Sequence, residues 1–394
     1  MRPILAILHD SYRELSARRI FWLVLAISAA IVLGYGSIGF NAEGMSIGYG
    51  LYTFKTAQLA AGSPLIVPFM DFIFSQFILK VWLAWGAVIL ALISTASVFP
   101  DFLSGGSIDL VLSKPVRRST IFLTKYLGSL MFVFLQSLIF CGGIFLVTGL
   151  RLDAWRWPMF WAVPIVLLVF SYLYCIMVLA NVVTRSVLAS LLLTALAWLA
   201  IFVTQSAHSV VSTELIRMQV GIVVNGEQVA WYDGHIPKLE AQALELESRG
   251  ESEKAAELRG RIAEVRSERQ REIDEIAEKT KSVTTWEPWQ SRFALAANLL
   301  PKTGESVEVV RRRLEKDSAL SQLQMLTALF DSRPDTPPDP ESDRPPRSRT
   351  DTLVQERTEV YFAARTPFFV FSTSLIFEVL VLGLATLIFV RTDF

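Results

Sequence analysis

GGSIDLVLSKPVRRSTIFLTKYLG, residues 105–128, sets a short charged segment between two long apolar runs, and that arrangement decides the fold class. The run before it, 77–98, has Lys80 as its one charged residue, and the run after it, 121–148, has Lys125. Each is long enough as a helix to cross ~30 Å of hydrocarbon at ~1.5 Å per residue. Comparable runs occupy 20–39, 159–181, 186–206 and 367–390 in a chain that is 52% hydrophobic. The pattern predicts an all-α integral membrane protein with six transmembrane helices and both termini on one side.

The formal net charge is zero, but its distribution is uneven. Residues 205–366 hold 23 Lys/Arg against 28 Asp/Glu, which leaves an excess of five basic residues elsewhere. Of the 14 Lys/Arg outside that segment, nine, Arg2, Arg13, Arg18, Arg19, Lys114, Arg117, Arg118, Arg185 and Arg391, share the side of the termini, against Lys55, Arg151 and Arg156 on the other. The positive-inside rule then puts both termini in the cytoplasm, in a cell (inner or cytoplasmic) membrane, and leaves the long acidic insert uncounted. Cys141 and Cys175 fall inside spans, so they carry no information on redox compartment. The first span is too long for a signal-peptide core and reads as a retained anchor.

Ahead of it, residues 1–19 place Ile4, Leu5, Leu8, Tyr12 and Leu15 on one helical face, the pattern of an interfacial amphipathic helix. Residues 40–76 are broken by Gly and Pro and read as an external loop. Trp155 and Trp157 suit a headgroup-level aromatic belt. The largest feature is the extracytoplasmic insert 205–366. In it Asn225-Gly226, flanked by apolar residues, signals a β-hairpin turn. Residues 237–281 signal an antiparallel helical hairpin that breaks at Gly250, its first arm the shorter. Residues 286–330 are apolar enough to pack against the outer mouth of the bundle, and 332–349, rich in Pro, Asp, Arg and Ser, form a linker.

The segment 105–128 also resembles the cytoplasmic loop of ABC exporter permeases of the second type, the family that includes the permease for copper-site maturation of nitrous oxide reductase. Gly106, Ile108, Asp109, Lys114, Pro115, Arg118, Lys125 and Gly128 match its pattern, as do Arg391, Asp393 and Phe394 at the chain end. The resemblance covers the membrane part and leaves the insert without a counterpart. It implies a coupling helix at 100–120 docked on a separate ABC ATPase, and a second permease copy or paralogue as partner.

The residues agree with that division of labour. No G-x-x-x-x-G-K-[ST] loop or H-E-x-x-H is present, and His9, His208 and His235 lie in separate regions. The chain is therefore read as non-catalytic, with no cofactor of its own; ATP and Mg belong on the partner. In the loop, Asp101 or Ser104 caps a short helix, Ile108, Leu110, Val111 and Leu112 form an apolar docking face, Pro115 fixes the exit, and Arg117 and Arg118 sit at the headgroups. Intramembrane polar residues are the other candidates: Glu378 near the middle of the last span, Lys80 as its potential partner, and the amides Gln136 and Asn181. Two rival classes stay open on sequence: an ATP-independent secondary transporter, and a membrane-tethered envelope scaffold that acts through its insert on an extracytoplasmic partner. Nothing points to nucleic acid.

Overall fold

A computed structural model describes residues 19–103, 117–316 and 350–392. The described residues divide into two compact units, one of residues 19–103, 117–201, 299–316 and 367–392 and the other of 202–298 and 350–366. The described residues are 86% helical, and among them are six helices long and apolar enough to cross a membrane. The amphipathic segment 1–18, most of the coupling loop (104–116) and the linker 332–349 lie outside the described residues.

The first unit is a helical bundle. Its elements are α1 (Arg19–Gly36), the helical run α2 (Ile66–Leu103), α3 (Arg118–Leu152), α4 (Ala162–Thr184), the start of α5 (Val187–Ser248) and α9 (Pro367–Arg391). The apolar window of α4 is 72% buried, against 17% for α5 and α9, so α4 is the central post. Its sequence is apolar all round, as a helix surrounded by helices requires. Leu188, Leu192, Leu196, Val379, Leu380 and Leu387 are instead more than half exposed, the disposition expected when the solvent is lipid. Hydroxyls inside the spans mostly return to their own backbone: Thr124, Ser137, Thr148 and Thr194 each donate to the carbonyl four residues earlier.

Two boundaries differ from the sequence expectation. α2 begins at Ile66, eleven residues before the apolar run at 77, and winds as a π-helix through Phe74–Ala87. The segment 40–76 is not only loop, because Gly39–Asn41, Gly44–Ile47 and Tyr52–Lys55 form a three-stranded antiparallel sheet, β1-β2-β3. Gly44 there has φ +140, and a Cβ would stand 2.3 Å from the Phe54 carbonyl oxygen, so only glycine fits. A short helix, α7 (Thr303–Lys316), also belongs to this unit; it packs on α2, α4 and α9 and contributes Val307 to the main core.

The second unit is built on an antiparallel helical hairpin, the remainder of α5 against α6 (Ser252–Leu299). The chain reverses at Gly250, φ +80, through a Schellman pair: the Glu251 amide donates to the Leu246 carbonyl and the Gly250 amide to that of Glu247. Ile236, Leu239 and Ala243 meet Leu258, Ile262 and Val265 at alternating spacings of three and four. Ion pairs flank this seam: Glu247 to Arg259 at 2.6 Å, Glu240 to Arg266 at 2.5 Å and Asp233 to Arg269 at 2.6 Å. The β-turn expected at Asn225-Gly226 does not form. Both residues lie inside α5, where the Asn225 amide donates to Glu275 at 3.0 Å, so the first arm is longer than the sequence break at Pro237 suggested. Partnership with a long facing helix outweighs the local turn preference, and Pro237 is carried within α5. α8 (Thr350–Ala363) closes the unit, with Leu353, Val354 and Tyr361 on Ile216, Val220 and Val224.

Candidate functional site

Two sets of residues stand out, the stems of the loop 104–116 and the polar groups inside the bundle. The stem on the α2 side is the short helix Val98–Leu103, in which Val98, Phe99, Pro100, Phe102 and Leu103 are all buried and Asp101 is exposed. On the other side Arg117 precedes α3 in extended conformation, and Arg118 donates to the carbonyls of Val390, at 3.5 Å, and Thr392, at 3.2 Å. These are orphan carbonyls of the α9 terminus, where a cation also complements the helix dipole. Phe389 of α9, fully buried, lies with tilted rings 5.1 Å from Phe122 and 6.2 Å from Phe102, and Phe99 lies 5.0 Å from Phe122. Lys125, 7% exposed, holds its ammonium 5.6 Å over the Phe102 ring. Arg118 and Lys125 thus flank an aromatic joint of α2, α3 and α9. Gly106, Ile108, Asp109, Leu112, Lys114 and Pro115 fall outside the described residues.

Glu378 lies deeper along α9, half-buried, and its carboxylate is held by two hydroxyls. Tyr126 of α3 donates to Oε1 at 2.7 Å, and Ser171 of α4 donates to Oε2 at 2.9 Å. Both donors are 3% exposed. Tyr126 is set by stacking on Tyr174, 5.2 Å between centroids, and Tyr174 in turn stacks on Phe170 and donates to Ser129 at 2.7 Å. The expected partner Lys80 is not there. It is exposed on α2, and its charge acts on Glu308 of α7. Burial would raise the Glu308 carboxyl, but the hydrogen bonds and charge of Arg311, with Lys80 and Arg312, hold it below the ordinary carboxylate range. The turn geometry of α2 sends Lys80 away from α9, which a linear count of positions does not reveal.

One turn along α9 from Glu378, Ser374 accepts the backbone amide of Lys302 at 2.9 Å. The Lys302 side chain is fully buried; its ammonium donates to Thr373 at 2.8 Å and sits 4.7 Å over the Phe369 ring. Ser306, also fully buried, donates to the Lys302 carbonyl at 2.7 Å. The fully buried Tyr172 has its hydroxyl beside Ser306 and Ser374 and within the field of Glu378. Polar groups of α3, α4 and α7 and the buried Lys302 therefore gather along one stretch of α9. The sequence marked only Glu378 on it. Tyr126, Ser171 and Tyr172 read as ordinary span residues, and Lys302, in PKTGE, reads as loop; the i,i+4 pair Ser374 and Glu378 was the available signal.

The two amides lie elsewhere. Gln136 lines a cavity of about 20 Å³ with Val24, Ser28, Trp82, Ser137 and Phe140, and its Nε2 has no hydrogen-bond partner. Asn181, fully buried, donates to the Ala96 carbonyl at 3.2 Å and ties α4 to the end of α2. Among the described residues no group of three or more His, Cys, Asp or Glu is placed to hold a metal. In the second unit His208, 2% exposed, receives Arg365 at 3.2 Å on Nε2; a guanidinium cannot accept, so this nitrogen is the acceptor and the ring is neutral.

No family model, curated protein or solved structure matches the chain.

Proposed function

We propose that the chain is the membrane-spanning permease subunit of an ATP-driven ABC exporter, energised by a separate ATPase that docks on the loop 100–120. In this reading both termini and that loop are cytoplasmic, and the insert is extracytoplasmic. Two copies, or one copy and a related permease, pair and bind two ATPases that carry the ATP and Mg. The single observation behind it is how the loop is mounted. A loop that only anchors the chain needs basic residues at the headgroups, whereas this one ends on both sides in buried aromatic residues, Phe99 and Phe102 before it and Phe122 after it. Phe102 and Phe122 bear on Phe389, and Arg118 grips the carbonyl end of α9. A force applied to such a loop reaches the last span through close packing instead of dissipating in a tether.

The test is to replace Ile108 and Leu112 by Asp, which sets two charges on the apolar face that would be desolvated on docking. Membrane insertion should be retained and co-purification of the ATPase lost. A correctly inserted double variant that still retains the ATPase would refute the reading.

A further inference from the structure

Trp82 of α2 and Gln136 of α3 bring two unanswered hydrogen-bond donors to one place. The Trp82 indole N–H and the Gln136 Nε2 are both buried, and neither meets an acceptor among the described residues. Both side chains line the cavity of about 20 Å³ between α1, α2, α3 and α4, and Gln136 is only 9% exposed. Buried donors without a partner are rare, and two on one cavity specify what it takes. An indole N–H can only donate, so the occupant must accept.

An independent feature holds Trp82 in position. It stands in the π-helical stretch Phe74–Ala87, a winding that is uncommon and concentrates at functional sites. Its ring fills the space beside Gly86, where a Cβ would come within 2.8 Å of the Trp82 Cε3. The indole can lie there because residue 86 has no side chain.

The rest of the lining decides the class of acceptor. Val24, Leu83, Ala91, Val133, Phe140 and Val166 surround the two donors, and no charged residue lines the cavity. A desolvated anion would find no counter-charge there, so the acceptor is uncharged. Trp82 and Gln136 lie near the middle of 66–103 and 118–152, two runs able to cross a membrane, which puts them ~15 Å from the interface that holds phospholipid ester carbonyls. The space suits about one water-sized group. Ser137, also on the cavity, donates its proton to the Val133 carbonyl at 2.9 Å and keeps lone pairs for a donor on the occupant.

We infer that this cavity binds one uncharged oxygen acceptor, held jointly by Trp82 and Gln136. The oxygen belongs either to a water molecule or to the carbonyl of an apolar solute dissolved in the membrane. It bridges α2 to α3, and no covalent bond is made or broken. The site shares no residue with the Glu378 cluster, and its test needs no ATPase.

Proton-detected NMR of the full ¹⁵N-labelled chain in nanodiscs of perdeuterated dimyristoylphosphatidylcholine reads both N–H groups, first in water alone and then with 2-nonanone as the apolar ketone. Trp82→Phe and Gln136→Met assign the two signals by their loss. Should Trp82→Phe not fold, Gly86→Ala assigns the indole by shifting it, since the new Cβ displaces the ring. Magnetisation transfer from water to both N–H groups in the first condition identifies the occupant as water. No transfer there, with a downfield shift of both signals on adding the ketone, identifies it as the carbonyl. Transfer or shift confined to one of the two groups would mean unrelated donors and overturn the inference, as would neither effect in either condition.

Discussion

Tyr126→Phe, Ser171→Ala and Glu378→Gln, made singly and in pairs, weigh the bonds at Glu378 directly. Tyr126→Phe removes one oxygen from a side chain that is 3% exposed and leaves Oε1 without its 2.7 Å donor. Hydrogen bonds to charged groups contribute ~1.5–3 kcal/mol in soluble proteins. Between membrane helices, double-mutant cycles average ~0.6 kcal/mol and reach ~1.7, because the unfolded state in the membrane also finds partners. A short bond to a carboxyl belongs near the upper end, so Tyr126→Phe should cost about 1–2 kcal/mol and couple to Glu378→Gln by about 1 kcal/mol. Ser171 should couple less, since its hydroxyl also lies 2.9 Å from the Leu168 carbonyl and has a local alternative. Lys80→Met should not couple to Glu378 at all. The assay is reversible unfolding in lipid bicelles by steric trapping, for each corner of the cycles. A Tyr126–Glu378 coupling within ~0.3 kcal/mol of zero, the scatter of independent sites, would refute the assignment, and a larger one for Lys80 would restore the sequence expectation.

Gly226→Ala should raise the stability of the hairpin by about 1 kcal/mol, because the residue is interior to α5 and a Cβ there meets nothing within 4 Å; slower hydrogen exchange in α5 and α6 peptides of the full chain would show it, and faster exchange would mean a turn at Asn225-Gly226 after all. The Glu308 carboxyl is depressed from its ordinary 4.5, so its contribution to seating α7 is present above that value and lost as pH falls through the depressed one. Exchange at 303–316 should accordingly accelerate in acid, and Glu308→Gln should remove the acceleration. For topology, Ser248→Cys at the hairpin reversal should react with a membrane-impermeant thiol reagent in intact cells and Ser119→Cys should not, with little background from the buried Cys141 and Cys175; the opposite labelling would invert the proposed orientation.

What could be read from the sequence followed from physics that acts along the chain. Six apolar runs fix six spans because each must cross hydrocarbon by itself, and the heptad spacing of Leu258, Ile262 and Val265 fixes a hairpin seam because neighbours at three and four share a face. What could not be read depends on rotation and on distant partners. Nothing local distinguishes Tyr126, which bonds Glu378 from 252 positions away, from another lipid-facing aromatic residue. Lys302 reads as a solvated loop lysine until α7 is seen to seat it among Thr373, Ser374 and Phe369. Asn225-Gly226 misleads for the converse reason: its turn preference is local, whereas the bond to Glu275 that accompanies its helical state lies 50 residues on.

The placement of these groups along α9 bears on how a push could become transport. Ser374, where Lys302 attaches, and Phe389, where the loop stems bear, are fifteen residues and so ~22 Å apart on the helix, with Glu378 between them about 6 Å from the first. α9 is therefore fixed to α4 and its neighbours at three levels: an aromatic joint with Arg118 on its terminal carbonyls, a carboxylate on two hydroxyls, and a buried lysine at the far end. The joint is apolar packing, which tolerates small sliding, but the hydrogen bonds at Glu378 are directional and are either made or broken. Under the ATPase-driven reading, displacement of the loop would shift Phe389 first and be resisted at Tyr126 and Ser171 until those bonds give way. A graded push would then produce two discrete packings instead of a continuum.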